Sequence, residues 1–215
     1  TGTGWHVAAV RKITNPRLLC DALLEEYPAY HAELTITGWC GDGLAGALKG
    51  EIDPVQLLFP DGGGMAEKMY RDSPAAHVYS GMVGEAVKAA VAQLPAGRML
   101  RVLEIGGGTG GTTSHVLPPL PADRVSYTYT DIGPLFVAKA QEKFAAYPFM
   151  RFQTLNIEED PAAQGLNGQQ FDLILAANVI HATANLHQTL AHVQQVLAPG
   201  GTFMMLEIIQ RRRWI

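Results

Sequence analysis

The chain has 215 residues, a formal net charge of −4, an isoelectric point of about 5.9 and two cysteines, Cys20 and Cys40. That length accommodates one full core with a smaller appendage, and the acidic balance supplies no global positive field for nucleic acid or anionic membrane. No apolar run approaches the ~20 residues of a membrane span, no basic-then-apolar leader opens the chain, and the cysteines have neither Cys-x-x-Cys nor zinc-ligand spacing. A protein of a reducing cytoplasm is expected, without a disulfide framework and with both thiols buried as small apolar groups.

Residues 1–72 carry helical punctuation and are expected to form a helical lid. Asn15-Pro16 reads as an N-cap with proline at the first helical position, ahead of Leu18, Leu19, Ala22 and Leu23. Pro28 breaks that pattern. A second helix runs through Leu34, Trp39, Leu44 and Leu48 to a stop at Gly50, with Gly38, Gly41, Gly43 and Gly46 weakening its interior. Asp61-Gly62-Gly63-Gly64 reads as a flexible joint, and Asp72-Ser73-Pro74 as the cap of a helix reaching about Leu94.

Residues 73–215 are expected to form the core. From Arg98 the period changes to short apolar runs separated by helical stretches, the βαβ rhythm of a doubly wound, mostly parallel α/β sheet. Strands are expected at Arg101–Ile105, Ser126–Thr130, Arg151–Leu155, Phe171–Ala176 and Thr202–Glu207. Helices fit Gly111–Leu117, Pro134–Tyr147 and Asn185–Leu197, the last closed by Ala198-Pro199-Gly200-Gly201. Thr1-Gly2-Thr3-Gly4 opens without Met and Trp214-Ile215 closes just after a strand, which reads as a piece of a multidomain parent.

The first strand runs into Glu104-Ile105-Gly106-Gly107-Gly108-Thr109-Gly110-Gly111. Glycines there allow a sharp turn and the close approach of a cofactor. Gly106, Gly108 and Gly110 give G-x-G-x-G, favoured for nucleosides, whereas Gly106, Gly108 and Gly111 give the dinucleotide pattern G-x-G-x-x-G. Asp131 closes the second strand, where a carboxylate can accept ribose hydroxyls. Asn156 and Ile157 close the third, positioned for an adenine amino group and ring. Glu104 lies beneath the loop, able to orient loop amides or to meet a cationic end of the ligand. A dinucleotide enzyme usually starts at its first strand and carries a second nucleotide-binding half, and neither holds here. His6, His31, His77, His115, His187 and His192 are scattered, and no metal site is expected. Arg211–Arg213 reads as a solvated edge or a contact for a carrier phosphate. Tyr70, Tyr79 and Met82, at helical spacing, read as packing rather than as an acyl pocket.

The run Leu103 to Thr113 resembles the cofactor loop of methyltransferase domains embedded in modular polyketide synthases. Also similar are Tyr129-Thr130-Asp131 through Phe149, Asp160 through Gly165, Ala177-Asn178-Val179-Ile180-His181-Ala182-Thr183, Asp53-Pro54 with Leu57-Leu58-Phe59-Pro60, and Tyr70 through Pro74. The resemblance implies a class I, Rossmann-like methyltransferase that uses S-adenosylmethionine, held by Glu104, Gly106, Gly108, Gly110, Asp131, Ile132, Asn156, Ile157 and Asn178. It implies an acyl substrate on the phosphopantetheine arm of an acyl carrier protein, beside neighbouring synthase domains. Gly133 and Asn156 depart from the family's usual serine and aspartate, and two final strands of the family's sheet are expected beyond Ile215.

Two branches share this pattern, one methylating the α-carbon of a β-ketoacyl chain and the other a β-hydroxyl oxygen. The compact segment before Tyr70 leans toward oxygen. His181 and Glu207, which a βαβ crossover brings to neighbouring strand ends, are expected as general base and orienting partner. On that reading Glu207→Gln loses less than His181→Ala, because the base remains. Competing readings are a non-catalytic methyltransferase-like scaffold, a nicotinamide oxidoreductase and a free-standing small-molecule methyltransferase.

Overall fold

A computed structural model describes residues 15–60 and 64–208; His6, most of the Asp61–Gly64 joint and Arg211–Arg213 lie outside them. Helix α1 (Pro16–Glu26) starts where Asn15 accepts the Arg17 amide at 3.0 Å. A 3-10 turn at Pro28–Tyr30 leads into α2 (His31–Leu48). The glycines of α2 let neighbouring segments approach its backbone. A Cβ on Gly43 would strike the Leu57 side chain, and one on Gly46 would meet Ile52 at 2.7 Å. Helix α3 (Pro54–Leu58) is capped by Asp53 and α5 (Pro74–Ala92) by Ser73. Between them Gly64, read as part of a joint, instead opens helix α4 (Gly64–Asp72).

The core alternates β1 (Leu100–Ile105), α6 (Gly111–Val116), β2 (Val125–Asp131), α7 (Pro134–Lys143), β3 (Met150–Thr154), β4 (Phe171–Ala177), α8 (Leu186–Val196) and β5 (Leu197–Leu206). All pairs are parallel, in the order β3-β2-β1-β4-β5. Successive residues of a strand face opposite sides. Val102 therefore packs with Val87, Val116, Tyr127 and Phe144 under α5–α7, while Leu103 packs with Ile174, Val193 and Val196 under α8. The chain steps outward from β1 to β3 and returns to β4 on the other side of β1. That reversal leaves a crevice at the carboxyl ends of β1 and β4, where doubly wound sheets bind ligands.

Four expectations need correction. Helix α7 stops at Lys143 rather than Tyr147, because Pro148 disfavours helical geometry before it and the chain turns, with the Tyr147 amide donating to the Phe144 carbonyl. The stretch Ala198–Gly201 belongs to β5, which pairs Leu197 with Phe171 and then shifts register, accommodated by Gly200 at φ +74°. Cys20 and Cys40 are half-buried, not buried. Tyr70, Tyr79 and Met82 are exposed, so they are not core packing. Among the described residues, no helix is long and apolar enough to cross a membrane.

Candidate active site

Strand β1 delivers residues 106–110 to the crevice. Gly106, Gly108 and Gly110 have φ of +64°, +57° and +72°, the left-handed region that side chains disfavour. Gly111, the alternative third glycine, serves a different purpose: a Cβ there would meet the Tyr70 carbonyl oxygen of α4 at 2.6 Å. The loop is backed tightly from below and open above. A Cβ on Gly107 would strike the Tyr129 ring, whereas one on Gly108 would meet nothing nearer than 3.9 Å. An open backbone position flanked by filled ones is the cradle a nucleoside cofactor needs.

Strand β2 fixes that cradle. The Tyr129 hydroxyl donates to the Gly108 carbonyl at 2.7 Å, and Asp131 Oδ2 accepts the Gly108 amide at 2.9 Å while Oδ1 accepts the Gly133 amide at 2.8 Å. Each carboxylate oxygen retains a further lone pair for a hydroxyl. Asp131 is thus loop support and available acceptor at once. Ile132 beside it is 66 % exposed, an uncommitted apolar surface at the end of β2.

Glu104 behaves differently from the expectation that it orients loop amides. It is 2 % exposed, and its carboxylate accepts the Thr113 hydroxyl at 2.8 Å and the Tyr127 hydroxyl at 2.8 Å. Burial pushes it up to about 7, against the pull of those two hydroxyls. The same burial, with Glu104 adjacent, raises the Tyr127 phenol well above its ordinary value. The network joins β1, β2 and α6 beneath the loop.

At the end of β3 the expected adenine contacts are spent internally. Asn156 Oδ1 accepts the Glu158 amide at 3.1 Å and its Nδ2 donates to Glu159, closing a turn of its own. Ile157 is buried in the core under α8, with Ile180 and Leu166, instead of facing the crevice. An apolar side chain gains more from that core than from a solvent-facing loop, even where the strand before it lies at the sheet's edge.

After β4 the chain turns through Asn178, which holds φ +55° and donates its amide to the Leu206 carbonyl at 2.7 Å. The turn aims three groups at Glu207, one residue beyond β5. Glu207 Oε1 accepts the Val179 amide at 3.0 Å and the Ile180 amide at 2.7 Å, and Oε2 lies 2.5 Å from His181 Nδ1. The histidine side chain is 58 % exposed and the glutamate is nearly enclosed. An Nδ1–H bound to the carboxylate leaves Nε2 as the outward acceptor.

Sequence reasoning missed Thr113, Tyr127, Tyr129 and Lys143. The two tyrosines had a legible signal: at period two in a strand buried on both faces, each hydroxyl needs a polar partner, and the adjoining loop and Glu104 supply them.

A methyltransferase-domain family matches residues 103–203. The chain is 37 % identical over 202 residues to the non-reducing polyketide synthase pigA of Monascus ruber, covering 92 % of this chain and 7 % of that one. Among solved structures, the CurJ carbon methyltransferase superposes with a TM-score of 0.90 at 48 % identity, over 94 % of this chain and 54 % of that one. The citrinin polyketide synthase CMeT domain superposes with a TM-score of 0.85 at 34 % identity, over 92 % and 53 %. The chain therefore spans a small part of the synthase it resembles and about half of each solved chain.

Proposed function

This chain belongs to the S-adenosylmethionine-dependent methyltransferase domains of polyketide synthases, and we propose that it methylates the α-carbon of a β-ketoacyl thioester carried on an acyl carrier protein. The observation that carries methyl transfer with proton removal is the His181–Glu207 pair at the edge of the cofactor crevice. When bound, S-adenosylmethionine supplies a sulfonium methyl group open to in-line displacement. An α-carbon between a ketone and a thioester becomes a nucleophile once it loses a proton, because both carbonyls share the resulting charge. His181 Nε2 takes that proton, and Glu207 holds the ring in the tautomer that leaves Nε2 unprotonated. Gly106, Gly108, Gly110, Asp131 and Ile132 bind the cofactor, and Asn178 sets the turn that places His181. Glu104, enclosed beneath the loop, supports it indirectly. Asn156 and Ile157 shape the neighbouring turn.

Carbon replaces the lean toward oxygen. That lean rested on the short segment before Tyr70, and this chain covers only about half of the carbon methyltransferase it resembles, so the segment's length does not measure the lid. The names of two similar structures, a carbon methyltransferase and a CMeT domain, support the choice. The test offers β-ketoacyl and β-hydroxyacyl thioesters, tethered and free, to the protein with S-adenosylmethionine. Methylation of the tethered β-keto substrate at its α-carbon is expected, with the free acid much slower because it lacks remote binding energy. O-methylation of the hydroxy substrate, or equal rates for free and tethered acyl groups, overturns it. Cofactor binding without turnover on either substrate marks a non-catalytic scaffold.

A further inference from the structure

Lys143, the last residue of α7, takes no part in the reading above. Its ammonium donates to the Thr109 carbonyl at 2.9 Å and to Glu67 Oε1 at 2.9 Å, and sits 5.2 Å from the Phe144 ring centroid. Thr109 belongs to the glycine loop and Glu67 to α4, so one cation joins three segments distant in sequence. We propose that Lys143 is a positioning residue for the cofactor, fixing the glycine loop in its binding shape by tying it to α4.

The rest of the loop is held from β2. Its Gly108 peptide is fixed from β2 by Tyr129 and Asp131. The following peptide, from Thr109 to Gly110, ends on a left-handed glycine and turns easily there. Its amide end is fixed by the Gly107 carbonyl at 2.9 Å. Lys143 fixes its carbonyl end.

Helix α4 sits against the exit of the loop, with the Tyr70 carbonyl close over Gly111. That contact is backbone on backbone and gives little lateral hold. The Glu67–Lys143 pair adds a directional tie, and Arg71, 3.6 Å from the same Oε1, keeps Glu67 on that side of α4. The tie bridges a cleft of about 450 Å³ lined by Glu67, Gly108, Thr109, Phe136, Ala140 and Lys143. Without it, the Thr109 carbonyl loses its fixed partner to mobile water, and the peptide can rotate away from the orientation that Gly108 needs. A lysine suits the task because its compact ammonium offers three donors, two of which are used here.

This inference rests on the reading that the crevice binds S-adenosylmethionine. Calorimetry with S-adenosylhomocysteine on the full chain tests it with Lys143→Met, Lys143→Arg, Glu67→Gln and the Met/Gln double variant. Lys143→Met is expected to raise the dissociation constant about tenfold, the scale of a lost charge-assisted hydrogen bond, while Lys143→Arg restores it to within about threefold. Glu67→Gln should give part of the loss, and the double variant should be no worse than Lys143→Met, because both act through one tie. In turnover, the KM for S-adenosylmethionine should rise by more than kcat falls. A Lys143→Met variant with lowered melting temperature but unchanged affinity overturns the proposal, as do additive effects in the double variant. If Lys143→Met does not fold, unchanged affinity in Glu67→Gln has the same force. A wild-type chain that binds no S-adenosylhomocysteine overturns the cofactor reading and the tie with it.

Discussion

Replacing Glu207 by Gln is a sharper probe of the site than its conservative chemistry implies. Glu207 Oε1 receives two fixed backbone donors, Val179 and Ile180 N–H, and Oε2 receives His181 Nδ1. In glutamine only the carbonyl oxygen can accept the two amides. The NH₂ group is then forced to the histidine and must donate to Nδ1. The ring proton moves to Nε2, the atom that has to act as base. Turning the amide over does not help, because it sets two N–H donors against an NH₂, and each unmet buried donor costs about 1–3 kcal/mol. Glu207→Gln should therefore remove general-base catalysis, worth about 10²–10⁴ in rate or roughly 3–5 kcal/mol of barrier, and match His181→Ala rather than exceed it in activity. This reverses the expectation drawn from sequence, which had the base surviving. Single-turnover rates on a carrier-bound β-ketoacyl thioester read the effect, and S-adenosylhomocysteine calorimetry checks that the crevice is intact. Retention of more than about a tenth of the wild-type rate by Glu207→Gln, below the smallest loss expected of a base, would refute the tautomer argument.

Two further outcomes follow from the cradle and the acid beneath it. Glu104 is held at about 7 in the folded chain against an ordinary 4.5, so the folded state binds more protons than the unfolded one between those values. The group's contribution therefore weakens stability as pH rises through that window. The full cost is about 3 kcal/mol above pH 7, and it is absent in Glu104→Gln. Urea midpoints at pH 5 and pH 8 should diverge between wild type and variant, and parallel profiles would contradict the burial argument. Gly107→Ala and Gly108→Ala should part company: a methyl on Gly107 strikes the Tyr129 ring and lowers melting temperature, whereas one on Gly108 meets open space and enters the crevice. Gly108→Ala should then cost stability only the ~1–2 kcal/mol of its left-handed φ while losing most cofactor affinity; a Gly108→Ala chain that binds normally would remove that position from the cradle.

Periodicity and turn chemistry were enough to locate the five described strands, because β1 and β4, buried on both faces, read as short apolar runs and the helical stretches and turns around them set the rhythm for the rest. The same rules misplaced the end of α7 and the start of β5. Proline and glycine mark that the chain changes direction, but Ala198-Pro199-Gly200-Gly201 can end a helix or form a bulge, and only pairing with Phe171 decides between them. The short helices α3 and α4 were illegible for a related reason. Each is only one to two and a half turns long, so the Asp53-Pro54 cap of α3 and the amphipathic face of α4 become helices only where they pack on α2 and the loop.

The site was legible by residue type and illegible by hydrogen-bond direction. Asn156 and Asp131 both end a strand at the crevice and both offer side-chain oxygens, yet the first closes its own turn and the second braces the glycine loop. Nothing in their sequence spacing separates those outcomes. What does separate them is where unpaired backbone donors stand: beside Asp131 they belong to Gly108 and Gly133, beside Asn156 to Glu158.

Cofactor binding and proton transfer, as proposed, should be separable in this site. The groups that brace the loop come from β1, β2 and α7, on one side of the switch point, while His181 and Glu207 come from β4 and β5 on the other. The two halves meet at Val179, whose side chain fills the space that a Cβ on Gly106 would need. Val179 also gives its amide to Glu207. One residue thus carries the packing of the loop on its side chain and the orientation of the base on its backbone. A change of side chain at Val179 reaches the loop first, whereas a change at Glu207 reaches the base first. Affinity and turnover are therefore the two readouts that distinguish the halves of the site.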